Sequence, residues 1–271
     1  VKVIVDFVPN HTALDHPWAK TNPEYYIQGT PEQYAANPNF YHQCVDQSGQ
    51  VRYLAHGKDP NFPEWSDTLQ LNYGKATVQE EMERVLLSLT DHADGVRCDM
   101  AMLLNPDTFL RTWGWCLTEE EKRFIQQNRF WQKVIPKIKT CCLESEKSGF
   151  EFFAEAYWDK EELQKYFDGI YNDDFYKHLK RVSGGEPPYY LRSHVEYLIG
   201  HRGKRCHDVV YVENHDEERA AQAMGDRFSK AAAVLVGMIP DSIFLVNQGQ
   251  EEGWKIRPPM QVNRYPSERR D

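Results

Sequence analysis

The chain has 271 residues, of which 41% are hydrophobic, so it is long enough and apolar enough for one large α/β domain. Its 32 basic and 41 acidic side chains leave a net charge of −9, and a nucleic-acid partner is not expected because phosphate binding requires clustered Lys and Arg. No run approaches the roughly 20 apolar residues of a transmembrane helix, so no membrane partner is expected.

The six cysteines lie scattered along the chain, without the spacing of a zinc site or of a disulfide framework. We interpret them as reduced thiols with a structural role, which favours a cytoplasmic location. They are Cys44, Cys98, Cys116, Cys141, Cys142 and Cys206.

Short β-rich runs recur along the chain and alternate with helical patterns. This alternation is typical of a parallel sheet that is covered by helices. The predicted strands are residues 2–8, 95–99, 150–155, 169–172, 208–213 and 242–247.

Three segments between these strands carry helix signals. One apolar stripe with a period of 3.6 residues begins at Val78 and ends at Leu89, and residues 231–238 are nearly all apolar. Thr118 and Glu121 have the spacing of a capping box, which predicts a helix start at this point.

The spacing of the polar residues fits a (β/α)8 barrel, in which each βα unit takes roughly 31 residues. Glu155 and Asp216 lie about two such units apart in the sequence. Asp6 and Asp99 are separated by one unit and a surplus of roughly 62 residues. This surplus matches residues 12–72, a stretch rich in Pro, Asn and aromatic residues, which we interpret as an inserted, loop-rich subdomain.

Four polar clusters occur at the carboxyl ends of predicted strands. They read D-F-V-P-N-H at residues 6–11, G-V-R-C-D at 95–99, F-F-A-E at 152–155 and E-N-H-D at 213–216. Catalytic groups in a (β/α)8 barrel lie at this end of the strands, where the loops converge on one mouth. Charged groups are costly at the end of a buried strand unless they are paired or functional, so the clusters indicate an active site.

In order and spacing, these clusters resemble the four short conserved regions of the α-amylase family of retaining glycoside hydrolases. The resemblance implies an α/β fold, a partial (β/α)8 TIM barrel over residues 1–271 with about six of its eight βα units. It also implies that Val1 lies in the third strand and that the first two units, roughly 62 residues, are absent. Residues 65–72 resemble the segment through which the chain of family members returns from the inserted subdomain to the barrel. The implied activity is retaining hydrolysis of α-1,4-glucans or maltooligosaccharides.

The resemblance implies that Asp99 is the nucleophile, that Glu155 is the acid/base and that Asp216 grips sugar hydroxyls in the transition state. Strand alternation independently predicts that Arg97 lies beside Asp99 and keeps it ionised. Asp6, on the neighbouring strand, is placed to orient Arg97. Glu155 ends an aromatic and apolar run, and desolvation there favours the protonated form that a general acid needs.

Further candidate residues surround these acids. His11 and His215 match family positions that hydrogen-bond the sugar, and Trp158 is a candidate stacking platform. Asn10 matches a position that often binds a structural Ca²⁺ ion, although the chemistry itself requires no cofactor. Residues 100–103 read M-A-M-L, where many family members have Lys and His that bind sugars beyond the cleaved bond.

Three other hypotheses stay open. A transglycosylase or sugar isomerase of the same family would transfer the glycosyl group to another sugar. A non-catalytic sugar-binding relative would keep the barrel, but such proteins usually lack one of the acids. A metal-dependent hydrolase would use His11, His215 and Asp216 as ligands.

Overall fold

The computed structural model describes residues 1–145, 149–200, 203, 206–259 and 267–268. The chain divides into two compact units, Val1–Phe167 and Asp168–Asp271. Both units contain parallel strands that alternate with helices, as the sequence predicts.

The first unit contains the following elements in the described part of the chain. Its strands are β1 (Ile4–Phe7), β2 (His11–Ala13), β3 (Tyr41–Val45), β4 (Val51–Ala55), β5 (Thr68–Gln70), β6 (Gly95–Cys98) and β7 (Glu151–Ala154). Its helices are α1 (Trp18–Thr21), α2 (Pro31–Ala36), α3 (Ala76–Leu89), α4 (Pro106–Trp113), α5 (Glu119–Gln127), α6 (Phe130–Glu144) and α7 (Lys160–Leu163). Short 3₁₀ turns lie at Pro23–Tyr25, Pro38–Phe40 and Ala101–Leu104.

The second unit continues the alternation. Its strands are β8 (Gly169–Tyr171), β9 (His207–Val210) and β10 (Ser242–Phe244). Its helices are α8 (Asp173–Ser183), α9 (Tyr189–Gly200), α10 (Ala220–Ala223) and α11 (Asp226–Gly237).

The pairing within each unit is parallel. In the first unit β6 lies between β1 and β7, with Asp6 opposite Arg97 and Cys98 opposite Ala154. In the second unit β9 lies between β8 and β10. Parallel pairing brings the carboxyl ends of neighbouring strands in each unit to the same edge, and the predicted site residues lie at or just after these ends.

All six predicted strands are confirmed, but each is shorter than predicted. The polar residues at their carboxyl ends, such as Asp99 and Glu155, lie just outside the regular pairing. The predicted helices are also found. The apolar stripe of α3 buries Val78, Met82 and Leu86. Thr118 caps α5 in a complete capping box.

Residues 12–72 contain more regular structure than the sequence predicts. Strand β2 pairs antiparallel with β5, and β3 forms an antiparallel hairpin with β4. Asp46 stabilises the hairpin turn, because its carboxylate accepts hydrogen bonds from backbone N–H groups of Ser48 and Gln50 and pairs with Arg52 at 2.7 Å. Strands of three to five residues are too short to produce a clear period. The assignment of this segment as a subdomain stays a prediction.

Aromatic side chains build the core beneath the strand ends of the first unit. The Trp131 ring contacts the rings of Phe7 and Phe167, and Phe152 packs edge-on against Phe167. The indole N–H of Trp131 donates to the carbonyl oxygen of Ala101 at 2.8 Å, so the loop that follows Asp99 is anchored to this core.

Within the described residues, the six cysteines are thiols and form no disulfide. No helix in these ranges is both long and apolar enough to cross a bilayer.

Candidate active site

Two of the predicted acids begin adjacent loops of the first unit. Backbone hydrogen bonds continue the strand register past the strand ends, from Asp99 N to Phe7 O at 2.9 Å and from Glu155 N to Cys98 O at 3.0 Å. Ala101 N then donates to Glu155 O at 2.9 Å. The main chain therefore holds the Asp99 and Glu155 positions side by side before their side chains make any contact.

The guanidinium group of Arg97 joins the carboxylates of this edge. Its Nη1 atom donates to Asp99 Oδ1 at 2.9 Å and to Asp6 Oδ1 at 3.1 Å. Its Nη2 atom lies 2.7 Å from Glu155 Oε2. The sequence predicts the contacts of Arg97 with Asp99 and Asp6, and the structure has both. The contact with Glu155 was not predicted, because it depends on the register between β6 and β7.

Glu155 is the most buried carboxylate of this group, with a side chain that is 3% exposed against 21% for Asp99. Burial raises the pKa of Glu155, Arg97 opposes this by its positive charge, and the negative charge of Asp99 adds to it. The carboxyl group also accepts hydrogen bonds from Tyr157 Oη at 2.9 Å and from the backbone N–H of Met100 at 3.0 Å. Glu155 is thus oriented by three neighbours in a site that favours its protonated form.

The backbone of Met100 adopts the left-handed conformation, with φ of 43°. This conformation is uncommon for a residue other than glycine and costs energy. It turns the chain at the end of β6 so that the Met100 N–H reaches the Glu155 carboxylate. Neither this donor nor Tyr157 was predicted. No local pattern in the sequence predicts that a methionine adopts the left-handed backbone conformation.

His11 begins β2, in the same unit as Arg97. Its ring is partly buried and lies 5.2 Å from the ring of Trp65. Burial lowers the pKa of His11 to about 4, although the nearby Asp67 carboxylate raises it. The imidazole is therefore neutral near pH 7, where it can both donate and accept a hydrogen bond.

The buried carboxamide of Asn10 is engaged with Gln70. Asn10 Nδ2 donates to Gln70 Oε1 at 3.1 Å, and Gln70 Nε2 donates to Asn10 Oδ1 at 3.0 Å. No group of three or more His, Cys, Asp or Glu residues able to hold a metal is present in the described ranges. A Ca²⁺ ion needs six to eight oxygen ligands, so the surroundings of Asn10 do not fit the predicted calcium site.

Trp158 is half-buried, and its position is fixed by polar contacts. Its indole N–H donates to Thr108 Oγ1 at 3.3 Å, and Thr108 donates in turn to Asp159 at 2.9 Å. A fixed indole could stack against a sugar, and this role stays a prediction.

The second unit carries the remaining predicted residues after β9. His215 Nε2 lies 3.1 Å from Asp216 Oδ2, and both side chains are exposed to about the same degree, 48% and 36%. The side-chain oxygen of Asn214 accepts hydrogen bonds from the backbone N–H groups of Asp216 and Glu217. The loop thus presents an oriented carboxylate beside an imidazole, and their functional roles stay predictions.

Parallel βα units with carboxylates at the carboxyl ends of their strands are typical of a (β/α)8 barrel enzyme domain. The family model of the α-amylase catalytic domain matches residues 1–258, and the chain belongs to this family of glycoside hydrolases. The match confirms the resemblance seen in the four polar clusters.

Two curated relatives support the match. Alpha-amylase 3 of Dictyoglomus thermophilum is 22% identical, and the aligned region covers 98% of this chain and 50% of the relative. Alpha-amylase MalA of Haloarcula japonica is 24% identical over 94% of this chain and 32% of the relative. The chain thus spans half or less of the length of these relatives.

Solved structures confirm the fold. An α-amylase from H. orenii superposes with a TM-score of 0.66 at 21% identity, over 97% of this chain and 52% of that one. An isomaltulose synthase from Klebsiella sp. LX3 gives 0.60 at 19% identity, over 97% and 52%. The predicted fold class, an incomplete (β/α)8 barrel, is therefore confirmed, and the described part of the chain contains six of its strands.

The lowered pKa of His11 predicts its behaviour in solution. In an NMR titration of the ring protons, with the signal assigned by its loss in a His11→Asn variant, the midpoint should lie near pH 4. The folded state binds this proton less tightly than the unfolded chain does, so the contribution of His11 to stability is lost as the pH falls from 6.5 towards 4. A midpoint near pH 6.5 would show that the ring is not desolvated.

Proposed function

We propose that the protein hydrolyses α-glucosidic bonds, with α-1,4-linked glucans or maltooligosaccharides as substrates, by a retaining double displacement. The observation that carries the proposal is the guanidinium of Arg97, which contacts the Asp99 and Glu155 carboxylates at 2.9 and 2.7 Å. Retaining enzymes hold their two carboxyl groups about 5–5.5 Å apart, and two acids that meet one guanidinium suit this short separation.

In the first step, the Glu155 carboxyl gives its proton to the glycosidic oxygen while a carboxylate oxygen of Asp99 attacks the anomeric carbon. The bond to the leaving sugar breaks, and a covalent glycosyl ester forms on Asp99. The raised pKa of buried Glu155 suits the acid role. The contact with Arg97 favours the ionised form of the nucleophile, because the guanidinium keeps its charge at all working pH values.

In the second step, the ionised Glu155 takes a proton from water, and the water oxygen attacks the anomeric carbon from the vacated side. The ester bond to Asp99 breaks, and the product keeps the anomeric configuration of the substrate. The hydrogen bonds from Met100 N–H and Tyr157 Oη stabilise the carboxylate form of Glu155 at this stage.

The remaining site residues have supporting roles in the proposal. Asp216 grips sugar hydroxyls more tightly in the transition state than in the ground state. The neutral His11 hydrogen-bonds the sugar and His215 donates or accepts a further hydrogen bond to it, while Trp158 offers a stacking surface and Asp6 orients Arg97. The chemistry needs no cofactor, and no step involves calcium. The thiol state of the cysteines supports a reducing compartment such as the cytoplasm.

A transglycosylase or sugar isomerase of the same family is the second candidate. The loop after Asp99 supports this alternative, because it differs from the family where the sugars beyond the cleaved bond are bound. Ala101, Met102, Leu103 and Leu104 are buried, so the loop packs into the core where many family members have sugar-binding Lys and His. The structural neighbours also include an isomaltulose synthase. A non-catalytic sugar-binding role is disfavoured, because all three acids and Arg97 are present.

The first test removes each acid without changing its shape. We expect the variants Asp99→Asn and Glu155→Gln of the intact protein to lose at least about 10³-fold of reducing-sugar release from maltooligosaccharides, because each removes one half of the double displacement. A matched control is Glu151→Gln, at a partly exposed glutamate at the amino end of β7 that pairs with Lys2. The control should keep normal activity. Undiminished release by both acid variants would rule out the assignment.

The second test identifies the acceptor. Hydrolysis of maltopentaose should give only shorter oligosaccharides, since water takes the glycosyl group. Chromatography of the products measures this. Longer oligosaccharides as the main products would instead establish the transferase. A product with the same number of glucose units as maltopentaose but a different linkage would establish the isomerase.

A further inference from the structure

A buried ion pair closes the loop that carries Asp216. In the second unit, Glu213 and Arg219 lie on either side of this loop, with Arg219 Nη2 at 3.1 Å from Glu213 Oε1. Both side chains are only 1% exposed. Neither residue is among the groups that perform the proposed chemistry.

Glu213 is held by groups on both sides of the loop. Its Oε2 atom accepts a hydrogen bond from the backbone N–H of Ala220 at 2.5 Å, at the start of α10. Its Oε1 atom accepts a second from Asn247 Nδ2 at 3.1 Å. The same Asn247 amide also donates to the carbonyl oxygen of Asn214 at 3.4 Å. The carboxylate thus ties the end of the β9 segment to the start of α10.

Arg219 extends the same network to the segment that follows β10. Its Nη2 atom donates to Gln248 O at 2.9 Å, and its Nε atom donates to Trp254 O at 3.4 Å. The guanidinium carbon lies 5.8 Å from the centre of the Trp254 ring, within cation–π range. Arg219 therefore connects the Asp216 loop to two points of one neighbouring segment.

Between these two residues, the loop has further fixed points on its main chain. Asn214 Oδ1 holds the N–H groups of Asp216 and Glu217, and Arg257 Nε donates to the carbonyl oxygen of His215 at 3.2 Å. Asp216 is therefore partly exposed in a loop whose base is held by the buried ion pair and whose backbone is held by local hydrogen bonds.

A buried ion pair is a poor device for stability, since an apolar pair of similar volume is often as stable or more so. Its directional contacts are well suited to holding a geometry. We propose that Glu213 and Arg219 are positioning residues, which hold the base of the loop so that the Asp216 carboxylate is in place for the transition state. This inference rests on the proposed function, because it takes Asp216 to act in catalysis.

The test replaces the pair by methionines in the intact protein. The variant Glu213→Met/Arg219→Met should fold, as judged by its melting curve, but lose roughly 10²-fold in kcat, since a misplacement of about 1 Å can cost that much. KM should change little, because the contact that is lost acts in the transition state. The matched control is Arg192→Met/Glu196→Met, which removes an exposed ion pair of the same unit and should leave kcat unchanged.

If the double variant does not fold, Glu213→Gln provides the second test, because it keeps the volume of the side chain and removes its charge. If either of these variants folds and has a normal kcat, the inference is overturned and the proposed function is left intact.

A mutant cycle separates positioning from a general structural effect. In an Asp216→Asn background, the substitutions of Glu213 and Arg219 should cause no further loss in kcat, because the carboxylate that this pair positions is already gone. An equal further loss would show that the pair acts by another route and would overturn the inference. If Asp216→Asn itself had normal kcat, the proposed role of Asp216 would fall, and the inference with it.

Discussion

The site depends on the contact of one guanidinium with several carboxylates. Arg97 meets Asp6, Asp99 and Glu155, and a single positive charge cannot balance three negative ones. The proton is therefore best held by the carboxyl group that is least solvated, which is Glu155. Asp99 is more exposed and accepts a hydrogen bond from the same arginine, and it is the proposed nucleophile. In the proposed mechanism, this difference in burial around one shared cation distinguishes the acid from the nucleophile.

The backbone makes this arrangement possible. Because β1, β6 and β7 run parallel in adjacent positions, their carboxyl ends deliver Asp6, Asp99 and Glu155 to the same edge. The strained turn at Met100 adds an N–H donor to Glu155, and the Trp131 indole holds the next residue in place. In the second unit, Glu213 and Arg219 are the proposed positioning residues of the Asp216 loop, and both side chains are buried.

Much of this could be predicted from the sequence, for physical reasons that differ between features. The strands and α3 follow from hydrophobic periodicity, and the contact of Arg97 with Asp99 follows from alternation along one strand. The contact of Arg97 with Glu155 depends on the register between two strands, and register leaves no local signal. The Asn10 and Gln70 pair joins residues 60 positions apart, and no local pattern predicts such a contact. The short strands β2 to β5 were not predicted, because three to five residues are too few to show a clear period.

The central claim is that Asp99 forms a covalent bond to the sugar. The most direct measurement is to incubate the intact protein with a fluorinated glucosyl donor whose ester intermediate breaks down slowly, and then to locate the added mass in peptic peptides by mass spectrometry. The account predicts one glucosyl group on the peptide that contains Asp99, and none in the Asp99→Asn variant. A glucosyl group on another carboxylate, or a product of inverted configuration without any covalent adduct, would contradict it.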